Sequence, residues 1–135
     1  MTEEQLDNWF SYHSPTEETA PKYAAIRAAE EVARHRIVQT DIEVGPDTKQ
    51  LHEEINVVMR QFAKVIDANA PDSADKTAAI RCVRLARDLF NEWAVLRSQP
   101  PAQWRYHPDA VWSAAVMELL KARMQANSAI ACGGR

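Results

Sequence analysis

Apolar residues recur at helical spacing through the middle of the chain. Over residues 49–69 and again over 74–97 they lie three and four positions apart, which predicts two amphipathic helices. Between them a proline disfavours helical geometry at the residue before it, and Asp72 or Ser73 can cap the helix that follows. Because the connection is short, we expect these two helices to form an antiparallel hairpin over residues 49–98.

Weaker patterns flank the hairpin and predict one further helix on each side. Pro21 suits the start of a helix over residues 21–37, and Asp109 can cap a helix over residues 110–131. Before the hairpin, residues 38–44 show a period of two instead, which favours a short strand or an extended linker. The alternating residues are Val38, Thr40, Ile42 and Val44.

These elements together predict an all-α fold, an antiparallel helical hairpin elaborated to about four helices. The length of 135 residues suits a single domain. Its expected parts are an N-terminal arm (1–20), a helix (21–37), an extended linker (38–48), the helical hairpin (49–98), a loop (99–109) and a C-terminal helix (110–131).

The amino-acid composition limits the classes of function that are open to this chain. With 46% hydrophobic and 26% charged residues the chain can bury a core, and its net charge of -3 gives no long-range attraction for duplex nucleic acid. The interior of the chain has too few glycines for a glycine-rich phosphate loop. Two isolated cysteines favour a reducing compartment, and neither a signal peptide nor a membrane-spanning stretch is visible. We therefore expect a cytoplasmic protein with no membrane association.

The sequence contains no recognisable arrangement of catalytic residues. No histidine stands in a recognisable motif with a nucleophile and an orienting carboxylate. Metal-ligand spacing among the histidines, cysteines and carboxylates is also absent. We therefore expect a binding protein without a cofactor or a metal, rather than an enzyme.

Two parts of the chain contain residues that are suited to ligand binding. An aromatic run that contains Tyr12 and His13 and ends at Pro15 is either a hydrophobic anchor for the N-terminus or a stacking surface for a planar ligand. On the third helix Arg81 and Arg84 lie three residues apart and share a face. That face is either a solvated surface or, where it lines a cavity, a site for phosphate groups.

Three separated stretches of the chain resemble a known family. The first is Tyr12-His13-Ser14-Pro15 with residues 22–27, the second is residues 71–81, and the third is residues 124–131. In this order they resemble the phage anti-CBASS and anti-Thoeris sponge family. In that family a Tyr-His-x-Pro opening leads to a helical hairpin with a Pro-x-Ser turn and an Ala-Asn-x-Ala-Ile-Ala end.

The resemblance implies a function and a set of site residues. Proteins of that family are small, helical homo-oligomers that sequester host immune second messengers in the host cytoplasm without cleaving them. The ligand would be a cyclic di- or trinucleotide or a cyclic ADP-ribose isomer, held between subunits of an assembly from dimer to hexamer. By resemblance Tyr12 is the stacking aromatic residue, and His13 and Pro15 shape its loop. The other positions that match are Arg27, Ser73, Thr77, Arg81 and Asn127.

The chain also departs from the compact family pattern. Two extra blocks, near residues 38–60 and 86–118, are expected to extend or kink both arms of the hairpin together. Two other functions stay open. One is a structural or protein-binding helical module of a phage, and the other is a small phosphodiesterase that acts on the same messengers.

Overall fold

Four long α-helices make up most of the chain in the computed structural model, which describes residues 2–5, 8 and 15–133. No strand occurs within these residues, so the prediction of an all-α fold is confirmed. The helices are α1 (Ala20–Val44), α2 (Lys49–Asn69), α3 (Ala74–Ser98) and α4 (Pro108–Cys132), with a short 3-10 helix at Pro101–Gln103.

The four helices form an up-down-up-down bundle. Each helix packs against its neighbours in sequence, and α4 closes the ring by packing against α1. The predicted pairing of α2 with α3 is present, but the largest interface joins α3 to α4. Small residues buried on both helices explain this, because the distance between two helix axes depends on the side chains at the contact. They include Ala79, Ala86, Ala94, Ala115, Ala122 and Ala126.

The apolar stripes predicted for the hairpin form much of the core. On α2 the stripe is buried along the whole helix, and Phe90 and Trp93 of α3 are buried in the same core. Leu85 is an exception, since 47% of its surface is exposed. No helix within residues 2–5, 8 and 15–133 has the length and apolar character that a transmembrane span requires.

The turn between α2 and α3 is fixed by its own polar residues. The Ser73 hydroxyl accepts a hydrogen bond from the Lys76 backbone N–H at 3.1 Å, which confirms Ser73 as the N-cap. The buried Lys76 ammonium donates to the Asp67 carbonyl and to the Asp72 carboxylate, both at 3.0 Å. Hydrogen bonding to the Asp67 side chain raises the pKa of Lys76 above its ordinary value. Lys76 is therefore committed to the turn and is not available to a ligand.

The predicted extended segment at residues 38–44 is wrong, because α1 continues without interruption to Val44. A short period-two pattern does not exclude a helix when its apolar members also recur four residues apart. In the helix Thr40 points into the bundle, whereas Ile42 is 71% exposed. The linker shrinks to residues 45–48, where Gly45 ends the helix with a positive φ of 59°.

The predicted cap of the last helix is also wrong. The helix begins at Pro108, two residues before the expected start, and its N-cap is His107 rather than Asp109. The His107 Nδ1 atom accepts a hydrogen bond from the Asp109 backbone N–H at 3.1 Å, and proline is well suited to the first turn. Asp109 instead lies in the first turn, where its charge complements the helix dipole.

Residues 38–60 and 86–118, the two stretches expected from the resemblance to be insertions, contain the connections at one end of the bundle. The first includes the connection from α1 to α2, the second includes the connection from α3 to α4, and the turn at 70–73 lies at the opposite end. Arg97 of α3 ties these two connections together. Its Nε atom lies 2.6 Å from the Asp41 carboxylate, and its Nη1 donates to the Gly45 carbonyl at 2.6 Å.

We predict that Arg97→Gln lowers the free energy of unfolding by about 1–3 kcal/mol, because it leaves the Gly45 carbonyl and the half-buried Asp41 carboxylate without their partner. Chemical denaturation followed by circular dichroism measures the change. Arg27→Gln is the matched control, since the exposed Arg27–Glu31 pair at 3.5 Å should contribute less than about 0.5 kcal/mol. Equal losses for the two variants would contradict the prediction.

Candidate functional site

The residues that the sequence and the resemblance nominated do not meet at one site. Tyr12 and His13 lie outside the described residues, and Pro15 is exposed. Arg27 is on the outer surface of α1, where it pairs with Glu31. The remaining nominated residues are on α3, at the turn before it and on α4.

Ser73 and Thr77 are used by the turn at the start of α3. The Ser73 hydroxyl donates to the Pro71 carbonyl at 3.2 Å while it caps the helix, and the Thr77 hydroxyl donates to the Ser73 carbonyl at 3.2 Å. These contacts account for both side chains as local structure. The guanidinium of Arg81 is on the exposed surface of α3 next to this turn.

Arg84 is a nominated residue that lines a cavity. The cavity is a groove of 440 Å³ between α2 and α3, which we call the basic groove. Its volume falls within the roughly 300–1,000 Å³ typical of small-molecule sites. It is lined by Asn56, Met59, Arg60, Ala63, Ile80, Val83, Arg84 and Arg87.

Three guanidinium groups surround the basic groove, and no carboxylate lies among its described lining residues. Arg60 and Arg84 have no ion pair within 4 Å in the described part of the chain, and Arg87 is paired with the exposed Asp88 at 3.2 Å. Such an exposed pair is weak and exchanges readily. Guanidinium groups bind phosphate with two parallel hydrogen bonds, so the groove has the chemistry of an anion site.

The floor of the basic groove is apolar. Met59 and Val83 are buried, and Ala63 and Ile80 are half-buried between the two helices. Apolar floors with a few polar groups at the rim are typical of sites for small organic ligands. The groove therefore suits a ligand that carries both phosphate and a less polar ring.

A chain of hydrogen bonds borders the groove and fixes Asn56. The Asn91 amide donates to the Asn56 side-chain oxygen at 3.0 Å, and its own oxygen lies 2.7 Å from the His52 Nδ1 atom. The Asn91 side-chain oxygen can therefore accept a hydrogen bond from His52 while the Asn91 amide nitrogen donates one to Asn56. The Asn56 amide nitrogen stays available to a ligand in the groove.

Sequence reasoning missed Arg60 and Asn56 because they are on α2, whereas the attention to basic residues fell on α3. The signal that could have found them is the predicted hairpin itself. When two helices pack through their apolar stripes, the charged residues that border the stripe of one helix lie beside the charged residues that border the stripe of the other. Arg60 follows the buried Met59 in the same way that Arg84 follows the buried Val83.

Asn127, the last nominated residue, is buried within the bundle beside a pair of buried charges. Arg123 lies one turn before it on α4, and the Arg123 Nε atom lies 2.8 Å from a carboxylate oxygen of Glu30 on α1. The side chains of Arg123 and Glu30 are only 3% and 2% exposed. The N–H of Arg123 does not point at that oxygen, so the contact is an ion pair rather than an aligned hydrogen bond. Arg123 also donates to the Glu3 carboxylate at 2.6 Å.

The buried pair explains the titration of Glu30. Burial raises the pKa of the Glu30 carboxyl to about 7, and the nearby charge of Arg123 opposes part of that rise. In the sequence Glu30 lies four residues after Ile26 and three before Ala33, in register with the buried apolar positions of α1. A carboxylate at an apolar position indicates a buried charge that requires a partner.

No protein-family model, curated protein or solved structure matches this chain. Within residues 2–5, 8 and 15–133 no group of three or more histidine, cysteine or acidic side chains is arranged to hold a metal ion.

We predict that Glu30→Gln flattens the pH dependence of stability. Folded Glu30 keeps its proton up to about pH 7, whereas the unfolded chain releases it near the ordinary value of 4.5. The free energy of unfolding of the wild type should therefore fall by up to about 3 kcal/mol as the pH rises from 4.5 to 7.

The measurement is chemical denaturation at a series of pH values for the wild type, Glu30→Gln and the exposed control Glu31→Gln. The difference between wild type and Glu30→Gln should change through this interval, and the difference between wild type and Glu31→Gln should not. Parallel curves for wild type and Glu30→Gln would show that Glu30 does not titrate in this way.

Proposed function

We propose that the protein binds and sequesters a cyclic nucleotide second messenger of a host defence system without cleaving it. The ligand would be a cyclic di- or trinucleotide or a cyclic ADP-ribose isomer, and the host cytoplasm would be the place of action. The observation that carries the proposal is the basic groove, in which Arg60, Arg84 and Arg87 surround an apolar floor.

The groove supplies the two kinds of contact that such a ligand needs. The guanidinium groups of Arg60 and Arg84 are free of carboxylates in the described chain, so a phosphate does not have to displace an existing ion pair there. Met59 and Ile80 offer apolar contact to a ribose or a base. The amide of Asn56 can hydrogen-bond to the edge of a base or to a ribose hydroxyl.

The geometry changes the set of proposed site residues. Arg84, which was nominated from its spacing on the third helix, is retained, while Arg60 and Arg87 replace Arg81 as its partners. Ser73 and Thr77 act by holding the start of α3, which carries Arg84 and Arg87. Tyr12 stays a proposed stacking residue on the evidence of the resemblance alone.

We predict that Arg60→Gln and Arg84→Gln each weaken binding of the messenger about ten- to a hundredfold, because each removes a hydrogen bond to a charged phosphate worth about 1.5–3 kcal/mol. The protein is incubated with a panel of cyclic di- and trinucleotides and cyclic ADP-ribose isomers. Chromatography measures the free ligand before and after heat denaturation. Ligand that is depleted and then returns intact supports sequestration.

Two controls make this test specific. Arg105→Gln removes an exposed arginine on the loop before α4, outside the groove, and should leave retention unchanged. Arg81→Gln distinguishes the groove from the family pattern, since the groove requires little effect there and the pattern requires a large one. Recovery of linear product would identify a phosphodiesterase. No depletion across the panel would contradict the proposal.

An interaction module is the second candidate, and an apolar groove between α1 and α2 favours it. This groove measures 400 Å³ and is lined almost entirely by apolar residues. Val32 at its edge is 51% exposed, which is unusual for a valine beside a core helix. Its lining residues are Ala25, Ala28, Ala29, Val32, Ala33, Val58, Gln61, Phe62 and Val65.

A second copy of the chain is the occupant that we propose for the apolar groove. Arg27 and Glu31 lie on α1 two residues before and two residues after Ala29, which lines this groove. If two copies of α1 cross antiparallel at Ala29, the Arg27 of each copy faces the Glu31 of the other. Such self-complementarity is what a twofold interface requires. The homo-oligomer implied by the resemblance would then assemble through this surface.

We predict that Val32→Glu converts the oligomer to a monomer without unfolding the chain, because Val32 is exposed in the isolated subunit and a buried carboxylate would oppose association. Sedimentation equilibrium measures the mass, and circular dichroism checks the fold. Leu85→Glu is the matched control on α3, where an equally exposed apolar residue lies outside the groove. A wild type that is monomeric, or an unchanged mass for Val32→Glu, would rule out this interface.

A further inference from the structure

A second cleft lies on the opposite side of the bundle from the basic groove, between α1 and α4. It measures 380 Å³. Its described lining consists of Glu31, Arg34, His35, Val38, Trp112 and Val116. None of these residues belongs to the basic groove or to the sites nominated from the sequence.

Trp112 forms the aromatic wall of this cleft and is held in place from inside the bundle. Its ring packs edge-on against Phe90, with 5.1 Å between the ring centroids, and tilted against Trp93 at 4.7 Å. These contacts fix the ring orientation, and the remaining part of the ring borders the cleft. An aromatic surface that is rigid before binding loses little conformational freedom when a ligand stacks on it.

The opposite wall of the cleft supplies charge. Arg34 is half-buried and His35 is exposed, and neither has an ion pair within 4 Å in the described part of the chain. The Glu31 carboxylate at the rim is paired with Arg27 at 3.5 Å. Val38 and Val116 complete the cleft with apolar surface.

We propose that this cleft binds a planar aromatic ring that carries a single phosphate, of the mononucleotide class. The ring lies against Trp112 between Val38 and Val116, the Arg34 guanidinium binds the phosphate, and His35 lies beside it. Glu31 at the rim can accept a hydrogen bond from an exocyclic amino group. The same carboxylate disfavours a polyphosphate or a nucleic-acid backbone, because it would repel the additional negative charge.

The proposal is independent of the proposed function. The basic groove contains no aromatic residue in its described lining, and this cleft contains one arginine rather than three. A ligand with several phosphates should therefore prefer the basic groove. A single aromatic ring with one phosphate should prefer the cleft.

The test is a titration of the full chain with AMP, adenosine and inorganic phosphate, followed by NMR of the tryptophan indole N–H groups. Trp112→Phe identifies the Trp112 resonance and keeps an aromatic ring against Phe90 and Trp93. We expect AMP to shift that resonance saturably, adenosine to bind about tenfold more weakly, and phosphate alone to leave it in place.

Two variants separate this cleft from the basic groove. Arg34→Gln should reduce AMP binding to the level of adenosine, whereas Arg84→Gln should impair retention of cyclic messengers and leave the AMP titration at Trp112 intact. Thermal unfolding confirms that each variant is folded. The proposal is overturned if AMP leaves the Trp112 resonance unshifted, if adenosine binds as tightly as AMP, or if Arg34→Gln binds AMP like the wild type.

Discussion

The buried contact between Glu30 and Arg123 fixes how α1 meets α4, and the closure of the bundle depends on it. Replacing either side chain would leave a buried polar group of the other without its partner, which costs about 1–3 kcal/mol. A shift of α1 along α4 by one turn would have the same effect, because it would move the Glu30 carboxylate away from a guanidinium that lies 2.8 Å from it. Apolar packing alone would tolerate such a shift more easily. The buried contact between Glu30 and Arg123 therefore sets the register of the first helix against the last.

That register also decides which surfaces α1 presents. With Glu30 inside, Val32 and Ile42 are turned outwards, and Arg34 and His35 face the cleft next to Trp112. The charges of the bundle thus fall into two groups. Those of Glu30, Arg123, Lys76 and Arg97 hold the bundle together and are largely withdrawn from solvent. The charges around the basic groove have few partners, so they are the ones that a ligand can use.

The sequence predicted the helices well because apolar periodicity is a local property. The bounds of α2 agreed with the expectation, and the cap of α3 was narrowed to Asp72 or Ser73 from residue type and position, of which the structure selects Ser73. The prediction failed at residues 38–44, where seven residues are too few to separate a period of two from a helix. Most of the candidate site could not be predicted for a different reason. The basic groove joins Arg60 of one helix to Arg84 of another, and the rotation of each helix about its axis is set by packing across the whole core.

The proposed retention of a ligand without cleavage would place a further demand on the basic groove. A ligand is held tightly when its contacts are shielded from water, because charge-assisted hydrogen bonds are stronger at low dielectric. The groove between α2 and α3 is open along one side, so one chain alone shields only part of a cyclic nucleotide. A second chain can close the site either by covering the groove directly or by bringing its N-terminal arm to it. The apolar groove on α1 and α2 shares a helix with the basic groove, so association through α1 would bring the two sites of an oligomer into a fixed relation. Oligomerisation and ligand retention are therefore expected to depend on each other.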